Sequence, residues 1–199
     1  KKKALACVNG SFSERMALTI KDCGKEVDML NVDWGKAIKP DMVMEKLRSG
    51  GYDTVAVCHN ETSTGVRSPV AEIGAAIKKE HPDVMFVVDA VSSAGGDLLE
   101  PDKLKTDVLF TSTQKCFALP PGLSIGIVSP AALQRAREVP GRGHYTDLVA
   151  IFDYYAKNKQ NPTTPNISLL YALDFQLGRM IAEGAQKRYE RHLAMAEYT

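Results

Sequence analysis

Two short apolar stretches in the middle of the sequence, each followed at once by reactive side chains, constrain the fold of this chain most. Residues 84–88 lead directly to Asp89, and residues 108–110 lead into a polar segment that reaches Lys115. Short β-branched and aromatic runs bounded by turn residues predict buried strands. A third run, residues 123–128, follows a Pro-Pro-Gly corner and predicts another strand.

Strand and helix patterns alternate along the whole chain, which is typical of a parallel sheet covered by helices. Strands are predicted at residues 4–8, 27–32, 54–59, 84–88, 108–110 and 123–128. Helices are predicted at residues 11–23 and 40–47, from Pro69, after Pro130, at 146–157, and as one long helix from Asn166 with a polar end at Arg188, Glu190 and Arg191. We therefore predict an α/β fold with a mostly parallel sheet sandwiched between helices.

The composition fits one globular domain and argues against several classes of partner. Of the 199 residues, 44% are hydrophobic, and the formal net charge is +1. That balance gives no general attraction to nucleic acid or to an anionic membrane, and no apolar run approaches the roughly 20 residues of a membrane span. No secretory signal is recognisable, and the lysines at positions 1–3 predict a solvated end. The four cysteines lack the paired spacing of a metal site and predict free thiols in a reducing cytoplasm: Cys7, Cys23, Cys58 and Cys116.

Asp89 and Lys115 fall where ligand chemistry gathers in an open α/β sheet, at the carboxyl ends of strands. Pyridoxal phosphate needs both kinds of group, because its aldehyde forms a Schiff base with a lysine amine and its ring nitrogen pairs with an acid. The residues alone leave a second interpretation open, in which Asp89 caps a helix and Lys115 is solvated or ion-paired.

Three sequence blocks resemble one enzyme family. Residues 59–65 read HNETSTG, residues 88–97 read VDAVSSAGGD, and residues 111–124 read TSTQKCFALPPGLS. In this order they resemble the cofactor core of the class V aminotransferases, and a looser resemblance extends from about Ala4 to the end of the sequence. Within that family the resemblance is to the serine–pyruvate, alanine–glyoxylate and broad-specificity aspartate aminotransferases. It implies a pyridoxal-phosphate enzyme whose chain here forms part of the large domain of the aspartate aminotransferase fold.

The resemblance assigns roles to residues around the cofactor ring. It implies that Lys115 is the Schiff-base lysine and that Asp89 keeps the ring nitrogen protonated. Phe12 is expected to stack on one face of the ring, where the family more often has a larger aromatic residue, and Val91 to close the other face. Thr62 corresponds to the hydroxyl residue that binds the phenolic oxygen.

Further assignments concern the cofactor phosphate. Gln114, just before the lysine, corresponds to a residue whose amide binds the phosphate, and Ser112 or Thr113 could add a hydroxyl. Gln160 and Thr163 resemble a pair that reaches the phosphate of the other subunit, which implies a homodimer with shared active sites. No metal is implied at the site.

The resemblance also divides the chain. Residues 1–164 correspond to a partial cofactor-binding large domain, and residues 165–199 to a long helix that leads toward a small domain. The family's Gly-rich phosphate turn and its substrate-binding arginine are expected outside this sequence, so the segment alone is expected to be inactive. Arg142 lies in an irregular loop, but the resemblance does not transfer the arginine's role to it.

Three functions are compatible with these features. The resemblance favours a transaminase that moves an amino group between a small amino acid and a 2-keto acid such as pyruvate or glyoxylate. A lyase of the cysteine desulfurase type is the alternative enzyme, but such enzymes place a histidine before the lysine, where this chain has Gln114, and a reactive cysteine on a later loop. The third possibility is an inactive fragment that acts only in dimerisation.

Overall fold

A six-stranded sheet forms the centre of the chain. The computed structural model describes residues 3–199; Lys1 and Lys2, part of the predicted solvated end, lie outside the described residues. The strand order is β2-β1-β3-β6-β7-β8; all neighbours are parallel except the β7–β8 pair, which is antiparallel. A separate two-stranded hairpin, β4–β5, follows β3. The strands are β1 (Lys3–Val8), β2 (Val27–Asn31), β3 (Tyr52–Cys58), β4 (Asn60–Glu61), β5 (Val66–Arg67), β6 (Met85–Asp89), β7 (Val108–Ser112) and β8 (Ser124–Val128).

Eight helices occupy the described residues, and their starts follow local sequence chemistry. Proline stands in the first turn of α2, α4 and α5, where its missing N–H costs nothing. The side chains of Ser129, Asp147 and Asn166 accept backbone hydrogen bonds at the starts of α5, α6 and α7. The helices are α1 (Ser11–Asp22), α2 (Pro40–Arg48), α3 (Val70–Glu80), α4 (Pro101–Leu104), α5 (Pro130–Glu138), α6 (Leu148–Asn158), α7 (Ile167–Glu183) and α8 (Ala185–Tyr198).

The two faces of the sheet are packed unequally. Alternate residues of β1, β3 and β6 form the main core against α2 and α3, with Phe86 fully buried at its centre. On the other face a smaller cluster joins Ala6 and Val8 to Ala17 of α1. A cavity of about 760 Å³ lies beside that cluster and extends along the sheet from Phe12 and Asp89 to Arg135.

The predicted α/β fold and the mostly parallel sheet are confirmed, with boundaries shifted by one or two residues for most elements. Two short features were missed: the β4–β5 hairpin and the four-residue helix α4. Within the described residues, no helix combines the length and apolarity that crossing a membrane requires.

The single long helix predicted from Asn166 is wrong. The chain breaks at Gly184, whose φ of 84° lies in a region that L-residues avoid, so α7 and α8 are separate helices. The predicted polar helix end is also wrong in part, because Arg188 is only 9% exposed. The division of the chain at residue 164 stays a prediction.

Two glycines in helices give a matched test of the packing between α3 and α4. A Cβ added to Gly74 would overlap the Leu104 carbonyl oxygen and lie 3.0 Å from the Phe86 ring, whereas one added to Gly178 would meet nothing within 4 Å. Gly74→Ala should therefore lower the free energy of unfolding by about 1–3 kcal/mol. Gly178→Ala should raise it by roughly 0.5–1 kcal/mol, because alanine is the better helix former. Urea unfolding of both variants checks this; equal stabilisation by both would contradict the close contact.

Candidate active site

The topology brings Asp89 and Lys115 to the same edge of the sheet. Asp89 is the last residue of β6, and Lys115 lies in the turn that follows β7, the parallel neighbour of β6. Asp89 is paired in register with Phe110, and the Ala90 amide donates to the Phe110 carbonyl at 2.9 Å. Because the carboxyl ends of neighbouring parallel strands lie at the same edge of the sheet, Asp89 and Lys115 both lie at that edge.

Asp89 is a half-buried acid whose surroundings raise its pKa. Its Oδ1 accepts the Val91 amide at 2.9 Å, which closes a local turn rather than capping a helix. Burial raises the pKa of Asp89 above its ordinary value, the Val91 hydrogen bond opposes this, and the negative charge of Glu61 adds to the rise.

Phe12 lies over the site from the first turn of α1. The Lys115 ammonium nitrogen is 5.9 Å from the centre of the Phe12 ring, and the Arg15 guanidinium is 5.3 Å from the same centre. Phe12 and Asp89 line the same cavity. Phe12 thus lies near the Lys115 amine and also lines the cavity that contains Asp89, so it connects these two predicted residues.

Glu61 holds Phe12 in place, and its role was not predicted. This fully buried carboxylate accepts from the Ser13 amide at 2.8 Å, the Phe12 amide at 3.3 Å and the Ser63 hydroxyl at 2.7 Å. Burial acts to raise the pKa of Glu61, but these hydrogen bonds together hold it below its ordinary value. The residue before α1, Gly10, has no side chain to cap the helix, and a Cβ there would overlap Glu61. That glycine was the only local signal that an acceptor must come from elsewhere.

Thr62 and Val91 are both tied to the segment that follows Asp89. The Thr62 and Ser92 hydroxyls form a hydrogen bond, so Thr62 is held against that segment. The Thr111 hydroxyl donates to the Val91 carbonyl at 3.4 Å, which joins the same segment to β7.

The three residues before Lys115 have different surroundings. The Thr113 hydroxyl donates to the Pro120 carbonyl at 2.7 Å, so it is already used inside the turn and is a poor candidate for the phosphate. Gln114 is exposed. Ser112 carries a buried hydroxyl with no hydrogen-bond partner among residues 3–199.

Gln160 and Thr163 are not joined to the other predicted residues by any contact found among residues 3–199. Both are exposed in the connection between α6 and α7, and the Gln160 amide lies 3.5 Å from the Tyr154 hydroxyl. Arg142 serves a local purpose, since its guanidinium donates to Asp147 at 2.9 Å and to the Val139 carbonyl at 2.7 Å. These local contacts agree with the expectation that Arg142 is not the substrate-binding arginine.

A buried histidine also supports the Asp89 segment, which sequence reasoning did not foresee. The His59 amide donates to the Asp89 carbonyl at 2.9 Å, and its Nδ1 lies 2.8 Å from the Ser93 hydroxyl. Burial lowers the pKa of His59, although the nearby Asp97 carboxylate opposes this, so the neutral ring is favoured.

Comparison with known proteins identifies the family. A family model described as Aminotransferase class-V matches residues 8–199. An uncharacterized aminotransferase of Methanocaldococcus jannaschii is 41% identical, over 99% of this chain and 51% of that protein. The serine–glyoxylate aminotransferase of Methylorubrum extorquens is 36% identical, again over 99% of this chain and 51% of that protein.

Solved structures agree with the sequence comparisons. The crystal structure of pyridoxamine–pyruvate aminotransferase from Mesorhizobium loti matches with a TM-score of 0.90 and 27% identity, over 98% of this chain and 50% of that one. The chain thus spans about half the length of the relatives it matches. The predicted resemblance is confirmed: the chain belongs to the class V aminotransferases, a family of pyridoxal-phosphate enzymes with the aspartate aminotransferase fold.

Proposed function

We propose that the protein is a transaminase that moves an amino group between a small amino acid and pyruvate or glyoxylate. The observation that carries this proposal is the placement of Asp89 and Lys115 after neighbouring parallel strands, with Phe12 beside the Lys115 amine and in the same cavity lining as Asp89. Among residues 3–199 no carboxylate forms an ion pair with the Lys115 amine, which leaves it available to a ligand.

The residues at this edge fit pyridoxal phosphate. Lys115 offers an amine, Asp89 an acid and Phe12 an aromatic face. The unpartnered Ser112 hydroxyl lies on the same face of the sheet as Asp89, because Phe110 lines the cavity and side chains two residues apart share a face. A buried hydroxyl without a partner is costly, and a polar ligand group at this edge would satisfy it.

Each residue has a distinct task in this proposal. When bound, pyridoxal phosphate supplies an aldehyde and an electron-withdrawing ring. Lys115 would be the attachment point for that aldehyde, and its amine would move the proton of the substrate Cα. Asp89 holds a proton on the ring nitrogen, and its second carboxyl oxygen has no donor among the described residues. Phe12 and Val91 would enclose the ring, and Thr62 would donate to its phenolic oxygen.

The substrate class rests on the relatives. Glyoxylate and pyruvate appear in the names of a 36% identical relative and a structural match, and both are small 2-keto acids. A lyase of the desulfurase type is less well supported, since Gln114 stands where that class has a histidine. In our proposal the exposed Gln114 amide binds the phosphate instead.

Replacing Lys115 tests the central assignment. Lys115→Ala in the full-length protein should abolish covalent cofactor attachment and transfer from alanine to glyoxylate, because Lys115 is the one lysine among residues 3–199 whose amine lies over the Phe12 ring. Borohydride reduction with peptide mapping measures the attachment, and pyruvate formation measures the transfer. Lys25→Ala is the matched control, since Lys25 lines the same cavity away from this edge. A reduced adduct on another lysine would refute the assignment, and a cofactor-free wild-type protein would favour a role in dimerisation only.

Replacing Asp89 separates a catalytic acid from a structural one. Asp89→Asn retains the acceptor for the Val91 amide but loses the acid, so turnover should fall by about 100-fold or more with cofactor still bound. The cofactor-free variant should be more stable than wild type at neutral pH. The raised pKa means that the buried carboxylate opposes folding above its folded pKa.

The same pKa shift fixes how this stability difference changes with pH. It should shrink as the pH falls through the raised folded pKa and vanish below the unfolded aspartate value of about 3.9, where both states are protonated. Thermal unfolding across this pH range, together with steady-state kinetics, makes the measurement. Asp53→Asn is the control: Asp53 lines the same cavity but pairs with Arg135. A destabilised Asp89→Asn protein with near-normal turnover would mean that Asp89 is only structural.

The proposal extends to a homodimer in which Gln160 and Thr163 complete the partner's phosphate site. Both residues are exposed, and they lie between two helices with large exposed aromatic side chains: Tyr155, Tyr171 and Phe175. Exposed apolar groups concentrated in this way are typical of an interaction surface. A second copy of the chain would cover them.

Mixed dimers test whether the sites are shared. Lys115→Ala and a Gln160→Ala/Thr163→Ala double variant should each be impaired, yet co-expression should restore roughly a quarter of wild-type activity. Random pairing makes half of the dimers mixed, and each mixed dimer contains one intact site. Lys115→Ala co-expressed with Asp89→Asn should stay inactive, because both changes fall in the same subunit's half of the site. No recovery in the first mixture would show that Gln160 and Thr163 do not act across subunits.

A further inference from the structure

Arg188 is a buried cation outside the proposed cofactor contacts, and it reaches both segments that carry the reactive groups. It lies in the first turn of α8 and is only 9% exposed. Its Nε donates to the Gly95 carbonyl, and its Nη2 donates to the Cys116 carbonyl at 2.5 Å. Gly95 belongs to the segment that follows Asp89, and Cys116 is the residue after Lys115.

The charge of Arg188 is balanced within the α7–α8 junction. Its Nη1 donates to Glu183 Oε2 at 2.9 Å, so all three guanidinium nitrogens are engaged. Glu183 also accepts from Arg191, and these two arginines lower the pKa of Glu183 to about 2, so it is ionised at neutral pH. A planar guanidinium can hold two carbonyls and a carboxylate in fixed directions, which the single ammonium of lysine cannot do.

The two segments also touch each other directly where Arg188 joins them. The Cys116 thiol lies 3.3 Å from the Ser92 carbonyl as its hydrogen-bond donor. A Cβ on Gly96 would lie 2.7 Å from the Cys116 sulfur and 3.1 Å from the ring of His192 on α8. The Cys116 side chain therefore joins the two segments directly, and a shift of either one moves the other.

We propose that Arg188 is a positioning residue that clamps the segment after Asp89 to the segment after Lys115 and so fixes the spacing of the two reactive groups. The clamp makes the α7–α8 junction at Gly184 part of the active-site framework. What the clamped groups do rests on the proposed function, but the clamp itself is defined by these contacts alone.

Comparison of two arginines that share Glu183 tests the clamp. Arg188→Lys keeps the positive charge but cannot hold both carbonyls. Arg191 is the other arginine bound to Glu183; it is exposed and contacts neither segment, so Arg191→Lys is the matched control. Hydrogen exchange of the cofactor-free full-length protein should report both segments, through the amides of Gly96, Asp97 and Ala118. We expect at least tenfold faster exchange at these amides in Arg188→Lys and less than twofold change in Arg191→Lys.

The holoenzyme supplies a second readout. In Arg188→Lys the visible circular dichroism of the bound cofactor should change, and kcat should fall by about 10- to 100-fold with substrate KM nearly constant, because a small misplacement of reacting groups mainly slows the chemical step. Arg191→Lys should match wild type in both. If Arg188→Lys does not fold, Arg188→Gln, which keeps an uncharged donor, takes its place in the same comparison.

Each outcome decides between a clamp and ordinary stabilisation. Three results would overturn the proposal. They are equal effects in both variants, faster exchange spread evenly over the whole chain, and faster local exchange with unchanged dichroism and kcat. If wild-type protein binds no pyridoxal phosphate, the proposed function fails, and the exchange pattern still decides whether Arg188 joins the two segments.

Discussion

The parallel pairing of β6 with β7 is the constraint on which the rest of this structure depends. The register that sets Asp89 opposite Phe110 ends both strands at one edge and places the turn with Lys115 beside the acid. A slip of β6 by one residue would turn Asp89 into the main core, because successive side chains point to opposite faces. The apolar alternation of β6, with Phe86 and Val88 buried on the core face, resists such a slip. Packing of one face therefore determines the chemistry available on the other.

The site contains two carboxylates, Asp89 and Glu61, that are shielded from solvent, where an ionised group is disfavoured. Burial raises the pKa of the Asp89 carboxyl, and the negative charge of Glu61 is close enough to add to that rise. Glu61 is satisfied by donors at the start of α1, so it remains ionised and holds Phe12. Asp89 has one oxygen bound and one free of described partners. An acid kept short of partners in this way costs stability, which is common where a group must serve a ligand.

The elements, and the positions of Asp89 and Lys115 after neighbouring strands, could be predicted from the sequence because both depend on local pattern. Strand runs, prolines at helix starts and side chains at strand ends can all be recognised within a few residues. Glu61, His59 and Arg188 were missed as site residues because their roles arise from contacts between segments far apart in the chain. The break at Gly184 was missed because the apolar stripe of α7 runs into a second helical pattern with only a glycine between them. The roles proposed for Gln160 and Thr163 require a second subunit, so contacts within one chain do not bear on them.

The contacts between these segments explain why small residues stand between Asp89 and β7. Gly95 has φ 88°, a backbone conformation that favours glycine, and a Cβ there would lie 3.1 Å from Met180 on α7. Gly96 leaves room for the Cys116 sulfur. A larger side chain at either glycine would push the segment after Asp89 away from α7, α8 or Cys116, and the carbonyls that Arg188 holds would separate. The Gly-Gly pair and Arg188 on α8 therefore act together. The glycines allow the backbones to approach closely, and the guanidinium holds the carbonyls of the two segments in place.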